Sequence, residues 1–180
     1  MKIKGNRRRG LTGTTLGFFF GFAAVALYGP TAIKFKEAMD LTPALLGLLI
    51  AIPSLSGSLL RIPFGAWVDT NGGKKPFFIL LLLGVIGLGG VTYLLYNYYP
   101  DKMHGMYWLV LLSGFLSGCG IATFSVGVGQ TSYWYPHCRQ GRALGTFAGI
   151  GNLAPGIFSL ILPLFLPPYG FITASFPWSL

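Results

Sequence analysis

An arginine lies inside an apolar stretch of the chain, in the segment LLRIPFGAWVDTNGGKK at 59–75. The guanidinium of Arg61 keeps its charge in a protein, and a charge at the centre of a lipid bilayer costs roughly 2.5–3.5 kcal/mol on insertion scales. Its planar fork of N–H donors can meet two oxygens of one flat oxyanion, whereas a lysine acts as a point charge. Arg61 is therefore our first candidate for binding a small anion. The alternative is that its long side chain extends to the nearer membrane surface.

Residues suited to acid–base, nucleophilic or metal chemistry are few in this sequence. We find no nucleophile–base pair, metal-ligand spacing or phosphate-binding loop, so we expect neither an enzyme nor a metal or cofactor site. Cys119 and Cys138 form no disulfide framework. A proton relay within the membrane is also disfavoured, because all acids and histidines lie between apolar stretches or at their ends. These residues are Glu37, Asp40, Asp69, Asp101, His104 and His137.

The elements that must position Arg61 are membrane helices. Hydrophobic residues make up 53% of the chain and charged residues 9%, with a mean hydropathy of +0.64, which excludes an ordinary soluble domain. Five apolar stretches reach the roughly 20 residues that cross a bilayer, so we predict an all-α membrane protein. They lie near 11–33, 43–67, 76–97, 106–133 and 143–166. A sixth begins near Tyr169 and is too short to cross by Leu180, so we expect a fragment that ends inside a helix.

The basic residues predict how the helices are oriented. Nine of the 13 Lys and Arg residues lie in the arm at 1–10 or in the loops at 68–75 and 134–142. The positive-inside rule places these segments, and so the N-terminus, in the cytoplasm of a multi-pass cell-membrane protein, with the transmembrane bundle at 11–180. We interpret the net charge of +9 as a signal of topology and of contact with anionic lipid. Nucleic-acid binding by the arm is the disfavoured alternative.

The loop GAWVDTNGGKK at 65–75 resembles the signature loop of the major facilitator superfamily. Glycines at 72 and 73 permit a tight turn, and Asp69 at a helix end can hold charges and helix termini of neighbouring segments. The resemblance implies a loop that latches one conformation of a transporter. An ordinary cytoplasmic hairpin is the alternative. The latch residues are Gly65, Asp69, Gly72, Gly73, Lys74 and Lys75.

A second segment, GIATFSVGVGQTSYWYPHCRQGRALGTFAGIGNLAPG at 120–156, resembles the fourth and fifth helices of the nitrate/nitrite porters within that superfamily. Its run AGIGN at 148–152 matches their nitrate signature, and these porters carry an arginine at the position of Arg61. The chain differs from their pattern in three places: these porters often have glycine where Ala154 stands and asparagine near Phe147, and their aromatic triplet before the proline is YWY at 133–135 here. The resemblance implies the N-terminal six-helix half of a transporter, with about five complete transmembrane helices here and the start of a sixth.

The resemblance also implies a binding site and a function. Nitrate or nitrite crosses the membrane by alternating access, with nitrate/nitrite exchange expected, and a missing C-terminal half-bundle completes the site with a second arginine. The alternatives are a facilitator for another small anion, or a membrane fragment that does not transport. Asn152 could instead bond to another helix, Phe124 could be filler, and Gln130 is a weaker candidate. The implied substrate-binding residues are Arg61, Phe124, Gly149, Gly151 and Asn152.

Overall fold

Every element in the described part of the chain is a helix, as the sequence predicts. The computed structural model describes residues 6–26, 35–99 and 103–165. The predicted sixth apolar stretch lies outside them. We number the helices α1 (Arg7–Ala26), α2 (35–39), α3 (Pro43–Asn71), α4 (Lys74–Tyr98), α5 (Tyr107–Trp134) and α6 (His137–Phe165).

The middle three long helices coincide with predicted spans to within four residues at each end. Within the described residues, α3, α4 and α5 are the helices long and apolar enough to cross a membrane. Helix α1 contains three arginines in its first turn, so part of the predicted arm is helical. Helix α6 begins six residues before the predicted stretch, since Pro136 accepts backbone bonds from Arg139 and Gln140 and starts a polar helical turn. The predicted count of five spans remains a prediction.

Helix α5 is the centre of the bundle and packs against α1, α3, α4 and α6. Glycines allow these close approaches, because a Cβ would overlap the neighbouring backbone at several crossings. Gly120 lies against Gly21 of α1, and Gly118 lies against Pro53 of α3. The sequence repeats glycine every four residues at Gly17 and Gly21, at Gly114 and Gly118, and at Gly141, Gly145 and Gly149, a spacing that predicts close helix packing. The prediction is confirmed at Gly21 and Gly118, whereas Gly145 of α6 faces open space.

Helix α3, which carries Arg61, has well-defined ends. Thr42 caps its start by accepting a bond from the N–H of Leu45 at 3.4 Å, and a proline occupies the first turn, where a missing N–H costs nothing. The helix ends at Gly72, whose φ of 77° lies in the left-handed region and whose N–H donates to Val68 O at 2.9 Å. Both ends are thus fixed by the sequence, which sets the height of Arg61 in the bundle.

Two apolar clusters hold α3, α4 and α5 together. The cluster nearer the α3 C-terminus includes Val68, Phe77, Leu80 and Val126. The cluster at the opposite end joins α2 to the same helices, and beside it the Tyr107 hydroxyl donates to Leu45 O at 3.0 Å. Its buried members are Phe35, Met39, Leu41, Leu49, Val91, Leu94, Met103 and Val110. Arg61 lies between the two clusters along α3.

Candidate functional site

The Arg61 side chain turns toward α5. Its guanidinium carbon lies 5.2 Å from the centroid of the Phe124 ring, within the range of a cation–π contact. Phe124 precedes the end of α5 at Trp134 by ten residues, or roughly 15 Å of helix. In this conformation the charge therefore lies well inside the bundle. An arginine extended to the membrane surface would instead reach toward the end of α3.

The hydrogen-bonding capacity of Arg61 is not used by the part of the chain that the structure describes. Its Nε atom is buried and donates no hydrogen bond, and no ion pair to the guanidinium is present among the described residues. A buried donor left without a partner costs roughly 1–3 kcal/mol. The arrangement leaves a cation with free donors beside a flat aromatic face. Such a group can bind an anion.

Below the guanidinium, three rings from three helices form an aromatic cluster. Phe124 of α5 lies 5.3 Å from Phe18 of α1 and 5.8 Å from Phe147 of α6, measured between ring centroids. Phe18 and Phe147 are themselves 5.3 Å apart and almost fully buried, with exposures of 1% and 0%. The cluster joins α1, α5 and α6 directly under the predicted anion-binding arginine.

The residues of the AGIGN run divide between two faces of α6. Gly151 is buried against the Phe18 ring, which an added Cβ would overlap, so it belongs to the aromatic cluster. Gly149 and Asn152 lie three residues apart on the exposed face, and nothing lies within 4 Å of a Cβ added to Gly149. The Asn152 amide donates to Ala148 O at 2.8 Å, a bond within its own helix. The structure thus joins Arg61, Phe124 and Gly151 through contacts, and places Gly149 and Asn152 on an open surface.

The predicted latch loop lies at the C-terminal end of α3, where Asp69 has a specific partner. The Tyr133 hydroxyl of α5 donates to Asp69 Oδ1 at 3.1 Å. Gly65, one turn earlier, is in ordinary contact with Ser125, whose Cβ would lie 3.8 Å from an added Cβ. The bond fixes the Asp69 carboxylate to α5 at the end of the bundle.

The two glycines of the turn are needed for different reasons. Gly72 adopts a positive φ of 77°, a backbone conformation that residues with a side chain rarely adopt. Gly73 has an ordinary φ of −77°, but it is buried against Gln130, and an added Cβ would lie 2.8 Å from Gln130 Oε1. Gln130 therefore packs on the latch turn and not beside Arg61. Lys74 and Lys75 follow, both exposed, in the first turn of α4.

Sequence reasoning missed Phe18, Phe147 as a cluster member, and Tyr133. Phe18 begins the run FFF at 18–20, and without the rotation of α1 nothing distinguishes the buried ring from its neighbours. Phe147 stands out only because it lies near a departure from the nitrate-porter pattern. Tyr133 belongs to the triplet YWY at 133–135, which carries no sign of which ring faces α3.

The described helices include three that are long and apolar enough to cross a membrane, and they enclose a cation with no charged partner among the described residues. This arrangement agrees with a membrane transporter. The chain belongs to the Major Facilitator Superfamily, whose profile matches residues 14–179. It is an integral membrane protein of that superfamily.

Individual relatives are named for nitrate and nitrite transport. The chain is similar to the nitrate/nitrite transporter NarU of Salmonella typhimurium, at 33% identity over 174 residues, or 95% of this chain and 37% of the relative. It is similar to the probable nitrate/nitrite antiporter NarK1 of Thermus thermophilus, at 31% over 179 residues, or 98% and 38%. The probable nitrate transporter NarT of Staphylococcus epidermidis is 33% identical over 157 residues, or 86% and 37%. The predicted resemblance is confirmed, and the chain spans a little more than a third of the length of these relatives.

Proposed function

We propose that this chain contributes the anion-binding half of a transporter for nitrate and nitrite that works by alternating access. The observation that carries the proposal is the buried, unpartnered Nε of Arg61 with its guanidinium 5.2 Å above the Phe124 ring. The names of the relatives supply the substrate class. Since the chain spans little more than a third of their length, the proposal includes a second helical bundle that closes the site from the other side.

Nitrate suits these groups because of its shape and charge. It is planar, monovalent and weakly basic, so it needs a permanent cation and in-plane donors but no general base. Arg61 offers its terminal N–H groups in one plane, which can meet two oxygens of the ion. Phe124 supplies a flat wall, and water exclusion by the aromatic cluster strengthens the attraction between the two charges. Asn152 and Gly149, on the open face of α6, then face the second bundle and can line the same passage.

Alternating access also requires an element that favours one conformation. In the proposal this element is the loop from Gly65 to Lys75. This loop and the basic arm at 1–10 lie at the end of the bundle that faces the cytoplasm. The bond between Tyr133 and Asp69 holds the carboxylate in place on this bundle. The second oxygen of Asp69 stays available to a group on the opposing bundle, so the loop can act as a latch. Exchange of nitrate for nitrite agrees with the absence of acids and histidines from the predicted spans.

A carboxylate is the competing substrate class, because it presents the same pair of oxygens to a guanidinium. The deciding experiment measures uptake of labelled nitrate into proteoliposomes that contain the intact transporter. Unlabelled nitrite, formate and lactate are added as competitors at equal concentration. We expect nitrite to compete strongly and lactate weakly, because a wall set by Phe124 accepts a flat ion and excludes a branched one. Stronger competition by lactate than by nitrite would replace the proposed substrate with a carboxylate.

A further inference from the structure

Six basic side chains lie in the first turns of three helices that begin at the same end of the bundle. They are Arg7, Arg8 and Arg9 of α1, Lys74 and Lys75 of α4, and Arg139 of α6, and we call them the basic collar. All six are exposed. We propose that the basic collar is a binding surface for the phosphate groups of anionic phospholipids. This inference does not depend on the substrate that the protein transports.

Contacts with the end of α5 bring the three helix starts together. The Tyr135 hydroxyl donates to Arg7 O at 3.5 Å, which fixes the start of α1. Gly73, immediately before α4, is buried against Gln130. The Gln140 amide donates to Ser132 O at 2.9 Å and to Tyr135 O at 3.1 Å, which fixes the first turn of α6. The six cations therefore surround one helix end and act on the same layer of solvent or lipid.

The charge of the collar is not neutralised by the part of the protein that the structure describes. None of its six side chains takes part in an ion pair among the described residues. The single described carboxylate at this end is that of Asp69, and it accepts the bond from Tyr133. Glu37 and Asp40 lie at the opposite end, around the start of α3. The collar therefore presents uncompensated positive charge to whatever lies outside this end of the bundle.

The position of these charges on the helices adds to the imbalance. A helix N-terminus carries a partial positive charge and is stabilised by nearby anions, so basic residues there are unfavourable without a counter-charge. None of the three helices has an acidic residue in its first turn. The C-terminal ends of α3 and α5 lie at the same level and offset part of the dipole field, but not the six side-chain charges. An anionic layer outside the bundle relieves both effects.

Aromatic side chains next to the collar favour a lipid over a dissolved ion as the partner. Tyr133 is 63% exposed at the end of α5, and the indole of the partly buried Trp134 packs against Gly10 of α1. Tyrosine and tryptophan concentrate at the level of lipid headgroups, where the ring meets acyl chain and the polar atom meets water. Since α3, α4 and α5 are long enough to cross a bilayer, their ends lie at this level. The headgroup phosphates are then the nearest anions.

The test compares lipids that differ only in headgroup charge. The intact protein in detergent micelles is titrated with phosphatidylglycerol or with phosphatidylcholine of the same acyl chains, and the midpoint of thermal unfolding is followed. We expect phosphatidylglycerol to raise the midpoint more, and the difference to shrink as sodium chloride is added. Each collar cation replaced by glutamine should weaken the apparent lipid affinity about fivefold.

Two variants are made separately, Arg7→Gln/Arg8→Gln/Arg9→Gln and Lys74→Gln/Lys75→Gln, so that failure of one to fold leaves the other. Replacing the three arginines by lysine should keep the response, and Lys36→Gln, exposed at the opposite end of the bundle, should not change it. Equal effects of the two lipids, or an undiminished response in a folded glutamine variant, would overturn the proposal. So would inorganic phosphate alone giving the same rise, because that result would indicate a small-anion site.

Discussion

Gly151 provides a prediction whose size follows from the structure. A methyl group at this position overlaps the Phe18 ring, and that ring cannot move aside cheaply because it is 1% exposed and packs between Phe124 and Phe147. Overpacking of this kind costs typically about 1–3 kcal/mol. Alanine also gains up to about 1 kcal/mol over glycine in a helix interior, and this gain has to be removed by a control.

Gly145→Ala is the matched control for Gly151→Ala. It lies on the same helix, and nothing is within 4 Å of its added methyl group. The intact protein is unfolded thermally in detergent, and nitrate uptake is measured in proteoliposomes. We expect Gly151→Ala to be less stable than Gly145→Ala by about 1–3 kcal/mol and to lose uptake, since the displaced Phe18 ring shifts Phe124 under Arg61. Equal stability of the two variants would refute this account of the aromatic cluster.

Three further predictions concern the site and the latch. Tyr133→Phe should alter the maximal rate of uptake and leave nitrate affinity unchanged, because it frees the Asp69 carboxylate far from Arg61; an affinity loss without a change in rate would contradict the latch. Phe124→Leu removes a cation–π contact with Arg61, which contributes roughly 0.5–1 kcal/mol at an exposed site, so it should weaken nitrate binding about two- to fivefold. The control Phe78→Leu, at a position 66% exposed on α4, should leave nitrate binding unchanged. The isolated 180-residue chain should show no nitrate uptake in proteoliposomes, because one wall of the passage is missing; robust uptake would indicate that two copies assemble.

The positions of the helices could be predicted well because hydropathy determines them. The apolar runs at 43–67, 76–97 and 106–133 became α3, α4 and α5 with small changes at the ends. The start of α6 is different, since the helix begins at His137, directly after Pro136, and four of its first six residues are polar or charged. Hydropathy reports where a helix enters the membrane, and it contains no information about a polar turn outside it.

The directions of side chains could not be predicted, because they depend on helix rotation. Successive residues of a helix point about 100° apart, and the triplet at 133–135 shows the consequence. Tyr133 bonds to Asp69 of α3, Trp134 packs on Gly10 of α1, and Tyr135 bonds to the backbone of Arg7. In the same way Gly149 and Gly151, two residues apart in one motif, face open space and the aromatic cluster respectively. The motif contains both glycines, but it does not show that their surroundings in the bundle differ.

The proposed site also combines predicted and unpredicted residues. The arginine could be found from sequence because a charge in an apolar helix is costly and therefore conspicuous. Phe124 is one of 15 phenylalanines, and only the resemblance to nitrate porters distinguishes it from the others in the sequence. Its contact with the guanidinium, and the support from Phe18 and Phe147, follow only from the packing of α1, α3, α5 and α6 around one point.

Direct binding of nitrate to the intact protein, with Arg61 and with Arg61→Lys, tests the central claim. Calorimetric titration in detergent measures binding without transport, and Arg142→Lys, an exposed arginine in the second turn of α6, is the matched control. Lysine keeps the charge but loses the planar pair of donors, and a charge-assisted hydrogen bond contributes roughly 1.5–3 kcal/mol. We therefore predict nitrate affinity at least about tenfold weaker in Arg61→Lys and unchanged in Arg142→Lys. Equal affinity of Arg61→Lys and the unmodified protein would contradict the claim that this guanidinium binds the anion.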